Sequence, residues 1–327
     1  MLTLTLWLLT GCGVLDGRVN RAVDPADTEP LLFEVPAGSS ARGLGPRLQE
    51  EGLIEEAWVW EYYLRSEKAG GCLKAGRFKL NRAMSMPEIM ETLCGPPLAD
   101  DVPFTVVEGW RIREIDAALA AEGWIEAGAY AAAANDPARF SLPFTIDGLS
   151  SLEGFLFPET YMVDPDKITA ESFLQRQLDT FNEKFLAPAG DAVVERGLYP
   201  VVILASMVER EEPTPAKRAL VAGILWKRLD SRWNLGVDAT SRYTLAEWND
   251  RGAFLKRLRD PNDPYNTRLR GGLPPTPIGN PGIDALNAAA RPESSEYWYY
   301  LHDRDGMLHP TRNASEHEAM RRKYNVY

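Results

Sequence analysis

Phe33-Glu34-Val35-Pro36-Ala37-Gly38 and Phe104-Thr105-Val106-Val107-Glu108-Gly109 align without gaps at an offset of 71 residues. Both continue into an amphipathic segment. The first ends Leu48…Glu51-Gly52-Leu53-Ile54 and the second Leu119…Glu122-Gly123-Trp124-Ile125. The pattern F-x-V-x-x-G-x9-L-x2-E-G-x-I therefore occurs twice. Apolar alternation before the first Gly of each copy predicts a strand, because residues i and i+2 share one face of a sheet. That Gly suits a turn into a helix, and the second Gly suits a helix C-terminus. Each copy is expected to supply a second strand, Gly76-Arg77-Phe78-Lys79-Leu80 in the first and Gly154-Phe155-Leu156-Phe157 in the second. A short helix from Met86 to Leu93, with Pro87 in its first turn, follows the first copy.

Beyond the repeat, Phe173, Leu174, Leu178, Phe181 and Phe185 recur with helical spacing and predict a helix from Ala170 to Phe185. A second helix is predicted from Val201 to Glu212, stopped by Pro213, and a third from Ala216 to Leu229. Residues 261–281 are rich in Pro, Gly and Asn and read as a loop, long enough to be either functional or disordered. A helix (Asp284 to Ala290) and an aromatic strand (Tyr297 to Leu301) come last. Helices and strands mix without a strict βαβ rhythm, so the expected class is α+β.

The 327 residues allow two domains, or one with an appendage. Hydrophobic residues at 45% and charged residues at 25% exclude a disordered, collagen-like or multi-span membrane chain. Asp and Glu outnumber Lys and Arg by 47 to 36, giving −11 at pH 7, with no basic run; a nucleic-acid partner is not expected. No Cys pattern suggests zinc, and the three His all follow residue 300, so no metal site is expected.

Residues 2–15 (LTLTLWLLTGCGVL) form an uncharged apolar run, shorter than the ~20 residues of a bilayer span. Three readings export the chain: a signal-peptide core without its basic region, a lipobox at Leu9-Thr10-Gly11-Cys12 with Cys12 lipidated, or the end of an anchor helix that starts upstream. A fourth, a buried N-terminal strand, does not. Residues 18–30 are polar, hold two Pro, and read as a linker. Outside the cytoplasm Cys72 and Cys94 have two outcomes, a disulfide or two buried free thiols.

The segment Val201 to Glu212 bears most on chemistry. Val201, Leu204, Ala205 and Val208 form a stripe at i, i+3, i+4, i+7, and its continuation lands on Glu211 and Glu212, with Glu209 further round. A carboxylate at the edge of a core is desolvated, its pKa rises, and it can hold a proton for general acid catalysis. Spacing alone favours a solvated helix end.

An ordered set of motifs resembles the MltG-type (YceG-like) endolytic murein transglycosylases across roughly residues 32–324. The set comprises the repeated F-x-V-x-x-G element, Ala75-Gly76-Arg77-Phe78, and Leu152-Glu153-Gly154-Phe155-Leu156-Phe157-Pro158-Glu159-Thr160-Tyr161. It continues with Leu204-Ala205-Ser206-Met207-Val208-Glu209-Arg210-Glu211, Asp238-Ala239-Thr240-Ser241-Arg242-Tyr243, and Tyr265-Asn266-Thr267. Gly272-Leu273-Pro274-Pro275-Thr276-Pro277-Ile278 and His309…His317 complete it.

The resemblance implies cleavage of MurNAc–GlcNAc bonds inside peptidoglycan glycan strands, with 1,6-anhydro-MurNAc ends, no cofactor, and a role in limiting strand length during wall synthesis. It implies a LysM-like subdomain over residues 31–100, after an anchor and linker over 1–30. A catalytic domain would cover 101–327, with the repeat in 101–165. It implies membrane attachment through the N-terminus, a position in the cell envelope facing outward, and proximity to cell-wall synthases. Glu211 would be the catalytic acid and Glu209 a supporting acid, with Glu153 lining the site. Ser206, Asp238, Thr240, Tyr243, Tyr265, Asn266 and Thr267 would support it or contact sugar. Glu212, Lys227 and Ala239 depart from the family pattern, and Glu212 would add a like charge beside the acid. His309 and His317 read as structural or substrate-binding rather than metal ligands. Two other readings stand beside this one: a silent glycan-binding protein, and a hydrolase using Glu209, Glu153 or Glu212 as a second carboxylate.

Overall fold

The computed structural model describes residues 15–98 and 101–326; Cys12 and the lipobox reading lie outside them. No helix among the described residues is long and apolar enough to cross a membrane. The chain is α+β and divides into two compact units, Met1–Asp100 and Asp101–Tyr327.

In the first unit, β1 (Leu31–Val35) pairs antiparallel with β2 (Gly76–Leu80), the strand expected there, with Phe33 opposite Phe78. Phe33, Val35, Phe78 and Leu80 point inward while Leu32, Glu34 and Lys79 face out. The inward face packs on Leu48, Trp60, Ile89 and Leu93 from the helices Gly45–Glu50, Ala57–Ser66 and Met86–Cys94. The Trp60 indole N–H donates to the Ala41 carbonyl at 2.8 Å, so burying this ring leaves no polar atom unpaired. The polar segment read as a linker is partly fastened: Asp24 N–H donates to the Arg82 carbonyl and Ala83 N–H to the Asp27 carbonyl, each at 3.0 Å.

Cys72 and Cys94 are joined as a disulfide across 22 residues of sequence. Loop-closure entropy for such a loop is worth about 3 kcal/mol. The Cys72→Ser, Cys94→Ser double variant is expected to lower the stability of the first unit by that order, read as a lower urea midpoint; an unchanged midpoint contradicts it.

In the second unit the repeat follows the same backbone path at its glycines. Gly38 and Gly109 have φ of 79° and 78°, and Gly52 and Gly123 have 72° and 75°. β3 (Val102–Thr105) pairs antiparallel with β4 (Thr160–Val163), placing Phe104 opposite Tyr161. The second strand of this copy is thus not Gly154–Phe157, as expected from sequence, but the next segment. Residues 153–155 form a turn instead. The Asn280 side-chain Oδ1 accepts from the Gly154 N–H at 2.8 Å and the Leu156 N–H at 3.0 Å, so neither is free for a ladder. Gly154 sits at φ 92°, where a Cβ would come within 2.6 Å of Pro277.

The helices Leu198–Glu211, Pro215–Asp230 and Ile283–Ala290 carry the centre of this unit. The single apolar stripe expected on the first is not what the structure has. Every residue from Val201 to Val208 is buried, as in a helix covered on all sides. At Gly223 a Cβ would lie 1.9 Å from the Glu293 carbonyl oxygen, so only Gly permits this approach. The Ala170–Phe181 helix continues as a π-helical turn, Asn182–Leu186, that reaches Phe185. β5 (Tyr299–His302) and β6 (Leu308–Thr311) form a hairpin, and the Ala314–Tyr324 helix follows it.

Candidate active site

Glu211 is the last residue of the Leu198–Glu211 helix and stands on the wall of a cavity of about 440 Å³. Tyr300 and His302 lie two apart on β5, hence on one face of the strand. They reach two consecutive acids at the helix end. The Tyr300 hydroxyl donates to Glu211 Oε2 at 2.9 Å, and His302 Nε2 lies 3.0 Å from Glu212 Oε2. Among the described residues nothing hydrogen-bonds Glu211 Oε1. Burial pushes the Glu211 carboxyl above its ordinary value, and the nearby Asp238 charge adds to this. The Tyr300 hydrogen bond and the charges of His302 and Arg228 pull it partly back.

Asp238 opens the Asp238–Arg242 helix on the same wall and pairs with Arg268 at 2.6 Å. Three of the residues expected to support the site or contact sugar hold this corner together. Asn266, fully buried, donates to the Arg257 and Asp260 carbonyls and accepts from the Arg268 N–H. Thr267 Oγ1 accepts from the Val237 N–H at 3.0 Å and lies 3.1 Å from Thr240 Oγ1. Both Thr are buried, and their hydroxyls are engaged on the segment leading into Asp238. Ser206 is likewise buried, donating to the Ile203 carbonyl and accepting from the Ile278 N–H. The loop over 261–281 is thereby ordered and partly buried.

Glu209 lies 200° round the helix from Glu211, at 100° per residue, and does not line the cavity. Its side chain is only 6% exposed and meets the Arg218 guanidinium at 2.6 Å and 3.1 Å, while Oε2 also accepts from the Gly282 N–H. Burial pushes its pKa up against the pull of Arg218. Removing one partner of a buried pair leaves the other charge uncompensated, so Arg218→Ala is expected to destabilise by about 4 kcal/mol, read by urea unfolding; a loss below about 1 kcal/mol contradicts the pairing.

Glu153 is also absent from the cavity lining. It is 3% exposed and accepts from the Ile112 N–H, the Asn280 amide at 3.1 Å and the Tyr243 hydroxyl at 3.0 Å. Burial pushes it up to about 7 despite these donors. Tyr243 packs on Tyr265, whose hydroxyl pairs with Thr276. Glu153, Tyr243 and Tyr265 thus form a second cluster, with the acid buried and the two rings partly buried, clamped by Asn280.

Glu212, expected to add a like charge at the site, is fully buried against His302 and the Thr214 N–H. His309 pairs with Asp303 at 2.8 Å and stacks on Tyr324, whereas His317 lines the cavity. Among the described residues no three His, Cys, Asp or Glu group to hold a metal. Sequence reasoning missed Tyr300, His302, Arg228, Arg268 and Trp233 as cavity residues, and Asn280 as a clamp. The aromatic strand carried a signal for Tyr300; Asn280 carried none.

The chain is similar to an endolytic murein transglycosylase of Bacillus subtilis, with 26% identity over 97% of this chain and 91% of that one. It is similar to another of that name from Streptococcus pneumoniae, 26% identical over 90% of this chain and 58% of the longer relative. The crystal structure of a YceG-like protein from Listeria monocytogenes superposes with a TM-score of 0.60 at 25% identity, over 89% of this chain and 99% of that one. Residues 33–323 match the model of the YceG-like family, and the chain belongs to that family.

Proposed function

We propose that the chain is an endolytic murein transglycosylase that cuts the MurNAc–GlcNAc β-1,4 bond within glycan strands, with Glu211 as general acid and then base. The observation that carries this reading is a desolvated carboxyl on a cavity wall, held through one oxygen by Tyr300 and open at the other. Protonated Glu211 gives its proton to the bridging oxygen, and the bond from MurNAc C1 to that oxygen breaks. The resulting carboxylate takes the proton from the C6 hydroxyl of the same sugar, and the C6 oxygen closes on C1. Glu211 ends protonated again, with a 1,6-anhydro end as product. Intramolecular attack has a high effective molarity, so no second carboxylate is needed to activate water. Glu209, Glu153 and Glu212 lie away from the cavity, and Asp238 on its wall is engaged by Arg268, which favours this over hydrolysis.

Further parts of the proposal are a first unit that holds glycan in the manner of a LysM module, and attachment to the outer face of the cytoplasmic membrane near cell-wall synthases. Action there would limit strand length. Glu209, Ser206, Thr240, Asn266 and Thr267 act by positioning. The test is mass spectrometry of purified glycan strands after incubation with the full chain. Fragments several disaccharides long with anhydro ends are expected; intact strands or ordinary reducing ends overturn the reading.

A further inference from the structure

Trp233 stands on the wall of the Glu211 cavity with 42% of its surface exposed. A large apolar ring left in water forfeits the free energy of burial unless something covers it. Its position is also built. The Pro215–Asp230 helix ends in a Schellman turn: Arg232 N–H donates to the Leu229 carbonyl at 3.0 Å, and Trp233 N–H to the Arg228 carbonyl at 2.8 Å. The left-handed residue of that turn is usually Gly and here is Arg232, at φ 59°. Packing fixes the indole further, 4.8 Å from the Trp298 ring and 5.7 Å from Tyr299, which itself stacks on His317. Beside it on the same wall, Asn234, Asp238, Arg228 and Arg268 offer donors and acceptors.

A rigid apolar ring face next to hydrogen-bonding and charged groups matches one ligand chemistry well. A pyranose has a face of C–H bonds and a rim of hydroxyl and acetamido groups. The C–H face packs on the electron-rich face of an aromatic ring while the rim reaches polar side chains. We propose that Trp233 is a stacking platform for a sugar ring of the glycan strand bound at Glu211, and so a substrate-positioning residue. This rests on the proposed substrate.

The test uses the full chain carrying Glu211→Gln, which holds substrate without cutting it, and purified peptide-free glycan strands in calorimetry. Adding Trp233→Ala is expected to weaken binding about tenfold, and Trp233→Phe to restore most of the loss. In the chain with Glu211 intact, Trp233→Ala is expected to raise KM by a similar factor with little change in kcat. Thermal melting of each variant reports folding separately. Equal affinity with and without the Trp233 ring overturns the platform while leaving the substrate intact. A loss of binding that tracks a lowered melting temperature and is not rescued by Phe makes the ring a packing element and also overturns it. If the Glu211→Gln chain binds no glycan, the substrate reading fails, and the platform with it.

Discussion

Glu211→Gln is expected to slow glycan cleavage by on the order of a thousandfold, the usual contribution of a positioned acid and base, while the protein stays folded. The amide fits the same space, and the Tyr300 hydroxyl can still donate to the amide oxygen at the place of Oε2. It also removes an ionisable group whose charged form is penalised by burial, so stability at neutral pH should be equal or higher. Glu209→Gln should behave in the opposite way. It strips a buried guanidinium of its carboxylate and so costs stability first. Two acids two residues apart are thus separable by rate at fixed folding and by melting temperature. A Glu211→Gln protein that remains active within about tenfold contradicts the assignment. Because the acid form does the work, activity should persist above the ordinary carboxylate range and fall as pH rises through the raised Glu211 pKa.

Glu153 should make the second large effect visible in stability. Its folded pKa is about 7 against an ordinary 4.5, so the folded state binds a proton that the unfolded chain has released. Its favourable contribution is complete below about pH 4.5 and is lost as pH rises to about 7. At about 1.4 kcal/mol per unit, the loss is roughly 3 kcal/mol. Glu153→Gln should flatten this slope. The amide oxygen can keep the Ile112 and Asn280 donors, and its NH2 can donate to a turned Tyr243 hydroxyl, as the protonated acid would. The check is urea unfolding of both proteins at pH 5 and pH 8; parallel pH dependences contradict the account.

The elements legible in the sequence are those that local spacing determines. β1 and β2 follow from alternation, and the helices from 3.6-residue spacing stopped by Pro213 or by glycine turns. β4 was misplaced because the apolar run Gly154–Phe157 looks like a strand locally, and only a side chain 126 residues away draws its backbone into a turn. The central helix misled differently. A stripe can be drawn through Val201, Leu204, Ala205 and Val208, yet the remaining positions to Val208 are equally buried once neighbouring helices enclose it. Glu211 is singled out by its motif, and the structure puts it on the cavity wall. The meeting of Tyr300 and His302 with two adjacent acids at a helix end is not legible, since it depends on where β5 docks. Short polar residues within a motif, such as Ser206 and Thr267, read as supports or sugar contacts; in the fold their hydroxyls satisfy backbone groups. Glu212 is the converse case, a departure from the family pattern that the structure accommodates with His302.

On the proposed mechanism the attacking oxygen belongs to the sugar and not to water. The most direct test is to run the full chain on purified glycan strands in heavy-oxygen water and weigh the new ends. Anhydro ends, one water lighter than reducing ends and with no heavy oxygen incorporated, are expected. New ends that carry one heavy oxygen would contradict the mechanism and require a water-activating carboxylate beside Glu211.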